Sequence, residues 1–351
     1  MKFYNHYFVN SLAIALLSFT MIIGNDDLFV RSSHIDKLSD KSHIYLQNAY
    51  AQKEEEKDEN KDKEEEKVFS DNKKPIFNIV AVGDWDCTDE TEDTVENIVD
   101  QNPELVLALG DLSYNGKAKC WLEVIEPITN KTKISMGNHE LDSSKLEKDY
   151  MNFFGLENHY YSFNYKNVHF LALSTETDYD DDSEQYQFAI KDLEKYSKDP
   201  FIDWIIVYYH RHIYGSGPNL EEDTDFRETY HPIFDKYKVD LALQGHLHVY
   251  ERTYPIIYNE DDDDEPIVQD NNPNIYKNPK GPIFLTAGTG GAHDMVLSSL
   301  EDYSAAGIDG TFGILDLTLE SDQKTLTGKF IENGKKKEIM DEFKIIKEQD
   351  N

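Results

Sequence analysis

The chain has 351 residues, 39% of them hydrophobic, with 35 Lys+Arg against 69 Asp+Glu and a formal charge of −34. That length suits one large domain or two smaller ones, with enough apolar residues for a core. The negative balance argues against nucleic acid and anionic membrane surfaces as partners, since both need positive potential.

The first 24 residues, "MKFYNHYFVNSLAIALLSFTMIIG", place Lys2 ahead of an apolar run from Phe8 to Gly24. They read as an export signal or a single membrane anchor. A small-x-small site, "AYA" at Ala49 to Ala51, lies far downstream for ordinary cleavage. Residues 25–74 form a linker, ending in "QKEEEKDENKDKEEEKVFSDNKK", Gln52 to Lys74. That stretch lacks apolar residues to bury and is expected to be a disordered or fraying-helical stalk. The compact domain is expected over residues 75–351.

From Pro75 strands and helices alternate. "IFNIVAVGD" is a strand ending at Gly83-Asp84, and "TEDTVENIVDQN" is a helix with acidic residues in its first turn. "ELVLALGD" ends at Gly110-Asp111, and "KTKISMGNHE" at Gly137-Asn138-His139. "HYYSFNYKNVHFLALST" is a hairpin plus a core strand, followed by the helix "EQYQFAIKDLEKYSKD". "DWIIVYYH" ends on His210; a helix around "DFRETYHPIFDKY" then leads to the strand "VDLALQ" and to "GHLHVYERTYP", Gly245 to Pro255. "NEDDDDEPIVQDNNPNIYKNPKG" reads as a surface insertion whose acidic run is either a solvated loop or a cation site. "GPIFLTAGTGG", "FGILDLTLE" and "KTLTGKFIENGK" close the chain as strands. The order predicts an α/β sandwich of two packed mixed sheets flanked by helices.

Ligand-type side chains stand at five strand ends: Asp84, Asp111, Asn138-His139, His210 and His246-x-His248. In open α/β sheets, sites gather beyond the carboxyl ends of strands. Glycine before Asp or Asn suits a tight turn that exposes the next side chain. The set suggests a two-metal site, with ions roughly 3.5–4 Å apart that stabilise attacking and leaving oxygens. Close cations need a bridging anion, which an Asp carboxylate supplies. Imidazoles suit zinc and iron, and oxygen donors suit hard cations.

As a set, "GDWDC", "GDLSY", "GNHE", "VYYH" and "GHLHVYERTYP" resemble the purple acid phosphatases, within the calcineurin-like metallophosphoesterases. The resemblance covers about Pro75 to Gly334. It implies that Asp84, Tyr114 and His248 hold a first metal, ferric iron. It implies that Asn138, His210 and His246 hold a second, a divalent iron, zinc or manganese, with Asp111 bridging. His139 is not a ligand in the family; it faces the phosphate and assists the leaving oxygen. The implied activity is acid phosphatase-like hydrolysis of a small phosphate monoester by metal-bound hydroxide. A phosphodiesterase or nucleotidase on the same scaffold is the alternative, and a non-catalytic cell-surface metal-binding protein is the alternative of another class. Tyrosinate-to-iron charge transfer gives the family its colour.

Three departures leave substrate binding and pH optimum open. Asp86 stands where the family has Gly. The adjacent histidines of the plant-type enzymes are replaced by "GPNLEED", and His212 does not match them. The N-terminal β-sandwich domain of the large plant enzymes is expected to be absent.

Cys87 and Cys120 are the only cysteines and, outside the cell, a disulfide candidate. The alternative is two unrelated buried thiols. Trp85, Trp121 and Trp204 are expected in the core, and His159, His169 and His231 in structural roles. His293 of "GTGGAHD" is a rim candidate. Glu251 and Arg252 are expected to pair and orient the His248 loop. The expected location is extracellular or anchored at the cell surface. Oligomeric state and natural substrate are not legible.

Overall fold

In the computed structural model, residues 77–348 are described, other than 115, 218–222, 294 and 298. The expectations for the signal or anchor and for the charged linker therefore lie outside the described residues. Among the described residues, no helix is long and apolar enough to cross a membrane.

In chain order the elements begin with β1 (Phe77–Val82), α1 (Asp89–Gln101), β2 (Leu105–Leu109), α2 (Ala118–Val124), β3 (Thr132–Ser135) and α3 (Ser144–Phe154). They continue with β4 (Tyr161–Tyr165), β5 (Val168–Ala172), α4 (Glu184–Tyr196), β6 (Trp204–Tyr208), α5 (Thr224–Tyr237), β7 (Leu241–Gln244) and β8 (Tyr250–Thr253). Short β9 (Ile256–Ile257), β10 (Ile267–Val268) and β11 (Ile275–Lys277) follow, then β12 (Ile283–Ala287), β13 (Ser304–Ile308), β14 (Gly313–Leu319), β15 (Thr325–Glu332) and β16 (Ile339–Ile346). Here α2, α3, β8, β13 and β16 add to the expected elements. β10 and β11 lie inside the stretch expected to be a plain surface insertion, and β11 extends a main sheet.

One seven-stranded sheet runs β11-β16-β15-β14-β1-β2-β3, the other β13-β8-β12-β7-β6-β5-β4. The period of two in β1 decides how they stack. Phe77, Ile79 and Ala81 join Val168, Phe170, Ile206 and Leu243 in a cluster between the sheets. Val80 and Val82 face the other way, toward Ile98 of α1, Trp121 of α2 and Tyr150 of α3. On the far side, Val207 and Ala242 meet Ala189 of α4 and Phe226 of α5. Helices thus cover both outer faces, giving the expected sandwich, an αββα stack of two mixed sheets. Trp85, Trp121 and Trp204 are fully buried.

Pairing is parallel for β1-β2-β3 and for β5-β6-β7. The carboxyl ends of β1, β2 and β3 in one sheet therefore emerge together, as do those of β6 and β7 in the other. The two bundles of strand ends meet: Gly83 N, after β1, donates to Ala287 O of β12 at 2.8 Å, and His210 Nδ1, after β6, to Leu109 O of β2 at 2.9 Å.

Candidate metal centre

Asp84, Asp111 and His246 all follow a strand and a glycine, and all hold positive φ, 60°, 48° and 69°. Such backbone is costly for a residue with a Cβ and persists where the surroundings enforce it. Gly110, at φ 82°, lies so close to His210 that a Cβ there would strike the ring. The tight turns put the following side chains into one small volume.

Two clusters of donor atoms result. In the first, Tyr114 Oη lies 3.1 Å from Asp84 Oδ1, 3.2 Å from Asp111 Oδ2 and 2.8 Å from His248 Nε2. In the second, His210 Nε2 lies 3.2 Å from Asn138 Oδ1, 3.1 Å from His246 Nδ1 and 3.2 Å from Asp111 Oδ2. Asp111 Oδ2 is common to both. Asp84, Asp111, His210 and His248 are buried.

The tautomers are fixed from behind. His210 Nδ1 donates to Leu109 O at 2.9 Å, and His248 Nδ1 to His293 O at 2.5 Å. In the neutral rings this leaves each Nε2 as a lone pair aimed into its cluster, the arrangement in which ligating histidines are held.

The carboxylates and imidazoles of the two clusters compete for positive charge. Burial opposes charge on His210, but the Asp111 carboxylate outweighs it and lifts the imidazole to about 10. Burial, then the charge of His210, push His246 down to about 3. Burial and the carboxylates of Asp84 and Asp111 push the Tyr114 phenol far up. One phenolic proton cannot serve two carboxylates and an imidazole. A cation satisfies such a crowd of acceptors, so the residues fit a metal pair.

Glu140 went unassigned from sequence. Its buried carboxylate accepts backbone N–H groups from Asp111 at 2.9 Å, Leu112 at 2.8 Å and Gly137 at 2.8 Å. It clamps the loop of Asp111 to the loop of Asn138. Its only signal was adjacency to His139 in "GNHE". Asp86 is explained by its φ of 69°, a conformation that glycine takes freely and Asp tolerates. Its Oδ1 accepts the Tyr114 N–H at 3.3 Å.

His139 N donates to Asp111 Oδ1 at 2.9 Å, and its Nδ1 lies 3.2 Å from Asp142 Oδ2. Its Nε2 is 3.9 Å from Asp111 Oδ2, and about a third of the side chain is exposed. His212 is buried, with no hydrogen-bond partner on either ring nitrogen, and its ring lies 5.8 Å from that of His246. Arg211, next in the chain to His210, is forked onto Glu176 at 2.7 and 3.2 Å, and both line a cavity of about 610 Å³.

Cys87 and Cys120 are joined by a disulfide, with Cα atoms 6.1 Å apart. The expected pairing of Glu251 with Arg252 is not found. Neighbours on a strand point to opposite faces. Glu251 accepts from Ser216 and Ser304 hydroxyls, both at 2.5 Å, whereas Arg252 forks onto Asp341 at 2.7 and 2.9 Å. His169 bonds Asn164 and Asp192, His159 bonds Glu147 and His231 bonds Tyr214, away from the donor clusters. In the acidic run, Asp263 and Asp264 pair with the buried Arg227.

Residues 77–250 match the calcineurin-like phosphoesterase family. The chain is 28% identical over 255 residues to purple acid phosphatase 23 of Arabidopsis thaliana, covering 61% of this chain and 52% of that one. It is 30% identical over 274 residues to probable inactive purple acid phosphatase 27 of the same plant, covering 69% and 43%. The purple acid phosphatase PPD1 from yellow lupin (Lupinus luteus) seeds superposes with a TM-score of 0.69 at 26% identity, over 77% of this chain and 54% of that one. The chain spans about half the length of the curated relatives it matches. By fold and match it belongs to the calcineurin-like phosphoesterases. Within them it belongs to the purple acid phosphatase family, and that membership implies a binuclear metal centre.

Proposed function

We propose that the chain hydrolyses phosphate monoesters at a binuclear metal centre. The observation that carries this reading is the pair of donor clusters sharing Asp111 Oδ2. Asp84, Tyr114 and His248 would hold one ion, Asn138, His210 and His246 the other, with Asp111 between them. Tyr114 is a hard anionic donor and favours ferric iron at the first position; the second suits divalent iron, zinc or manganese. A bound pair supplies positive charge for the phosphoryl oxygens and a nucleophile at mild pH.

His139 has the next role. Its backbone is pinned by Asp111 and its Nδ1 by Asp142, so its Nε2 is held at the open side of the clusters. There it gives a proton or hydrogen bond to the leaving oxygen. The chain's negative charge disfavours nucleic acid and leaves a small ester as substrate. The disulfide supports an extracellular or cell-surface location.

The test is turnover of p-nitrophenyl phosphate against bis-p-nitrophenyl phosphate, with metal content and a visible spectrum on the same sample. Preference for the monoester is expected. Preference for the diester would move the reading to a phosphodiesterase. No turnover of either by fully loaded protein would favour a metal-binding protein without catalysis.

A further inference from the structure

Four rings follow one another past the first donor cluster. His139 packs against Tyr114 at 4.2 Å between centroids, Tyr114 against His248 at 5.8 Å, and His248 against His293 at 4.7 Å. The two middle rings belong to the donor cluster. The two outer ones are imidazoles with solvent access, His139 by a third of its side chain and His293 as an exposed residue. His293 thus stands beside the first cluster at the other end of the row from His139.

The loop that carries it is built against that cluster. Ala292 N donates to Asp84 O at 2.9 Å, and Gly290 N to Gly83 O at 2.9 Å. A Cβ on Gly288 would lie 2.8 Å from Asp84 Oδ2, so the loop packs without clearance. The backbone carbonyl of His293 holds His248 Nδ1 at 2.5 Å. That bond uses the main chain and leaves the imidazole of His293 uncommitted to it. An exposed imidazole anchored by its own backbone to a ligand histidine is placed to meet whatever anion the centre draws in.

We propose that His293 is a substrate-contacting residue, its imidazole donating a hydrogen bond to a phosphoryl oxygen of the bound ester or of the phosphate product. This rests on the phosphatase reading. The position supplies the anion with a second protein donor, at the other end of the ring row from His139.

The test measures inorganic phosphate binding to metal-loaded full-length protein by titration calorimetry, alongside metal content and KM and kcat for p-nitrophenyl phosphate. His293→Ala should weaken phosphate binding and raise KM roughly tenfold or more, the scale of a lost hydrogen bond to a charged group. Metal content should not change, because the backbone carbonyl that holds His248 remains. His293→Gln, which keeps a donor, should recover part of the affinity. Unchanged phosphate affinity in His293→Ala overturns the assignment. So does metal loss that accounts for the weaker binding, or a wild-type protein that binds no phosphate. If wild type binds phosphate but turns over no ester, the hydrolase reading fails, and His293 is still judged on the binding data.

Discussion

Tyr114 is the residue that most sharply sets the metal chemistry. Its oxygen lies within 3.2 Å of two carboxylates and an imidazole, and its proton is held tightly unless a cation replaces it. Tyr114→Phe should therefore bleach iron-loaded protein while leaving the far-UV spectrum intact. A wild-type protein with full ferric occupancy and no visible band would defeat the assignment. His139 makes the opposite prediction. It touches Asp111 but stands outside both clusters, so His139→Ala should keep both metals and lose roughly 10²–10⁴-fold in kcat, the usual share of general acid–base assistance. His246→Ala should instead lower metal content; equal metal loss in both variants would end the distinction. Glu140 acts through others. In Glu140→Gln an NH2 replaces one acceptor oxygen among three backbone donors, leaving a buried N–H unpaired at a cost of about 1–3 kcal/mol. Lower Tm and roughly 10–100-fold weaker metal retention under a chelator are expected. Retention equal to wild type would show that the clamp is dispensable.

At the scale of elements, the strands that carry the centre were readable because each is a short apolar run stopped by glycine and a ligand-type residue. The αββα architecture followed from their alternation with helices. What escaped reading depends on partners far along the chain. β8 looks like motif rather than strand, and it forms because Leu285 to Ala287 of β12 pair with it. β16 exists through its ladder with β15. Glu251 and Arg252 look like an ion pair in sequence, but the strand sends one toward Ser216 and the other toward Asp341. The candidate ligands were legible as types; that Asp111 Oδ2 touches both clusters was not, since it depends on how two sheets meet. The disulfide also belongs at this scale. It joins the turn after β1 to α2 across 33 residues, so it braces the loops of Asp84 and Tyr114. Cys87→Ser with Cys120→Ser should cost roughly 3–4 kcal/mol by the chain-entropy argument. Denaturant unfolding checks it, and an unchanged midpoint and slope would sink it.

For the whole molecule, the question is how much of the chain the centre needs. Among the described residues, all three hydrophobic clusters are drawn from residues 77 to 345. A fragment of residues 73–351 should therefore keep the metal content, kcat and Tm of the full chain. That fragment also keeps most of the negative excess, with 55 Asp+Glu against 26 Lys+Arg. Self-repulsion then acts on the compact body itself. Raising ionic strength from about 0.01 to about 0.15 M shortens the screening length from about 30 to about 8 Å. Tm should rise over that range, and by the same amount in fragment and full chain. The donor clusters are buried and their mutual interactions are screened far less, so metal content should not follow the salt. Thermal melts at the two salt concentrations, with metal analysis before and after, read all of this. A fragment that fails to load metal while the full chain loads it would place part of the centre's support before residue 73. A salt response confined to the full chain would locate the repulsion in the first 72 residues instead.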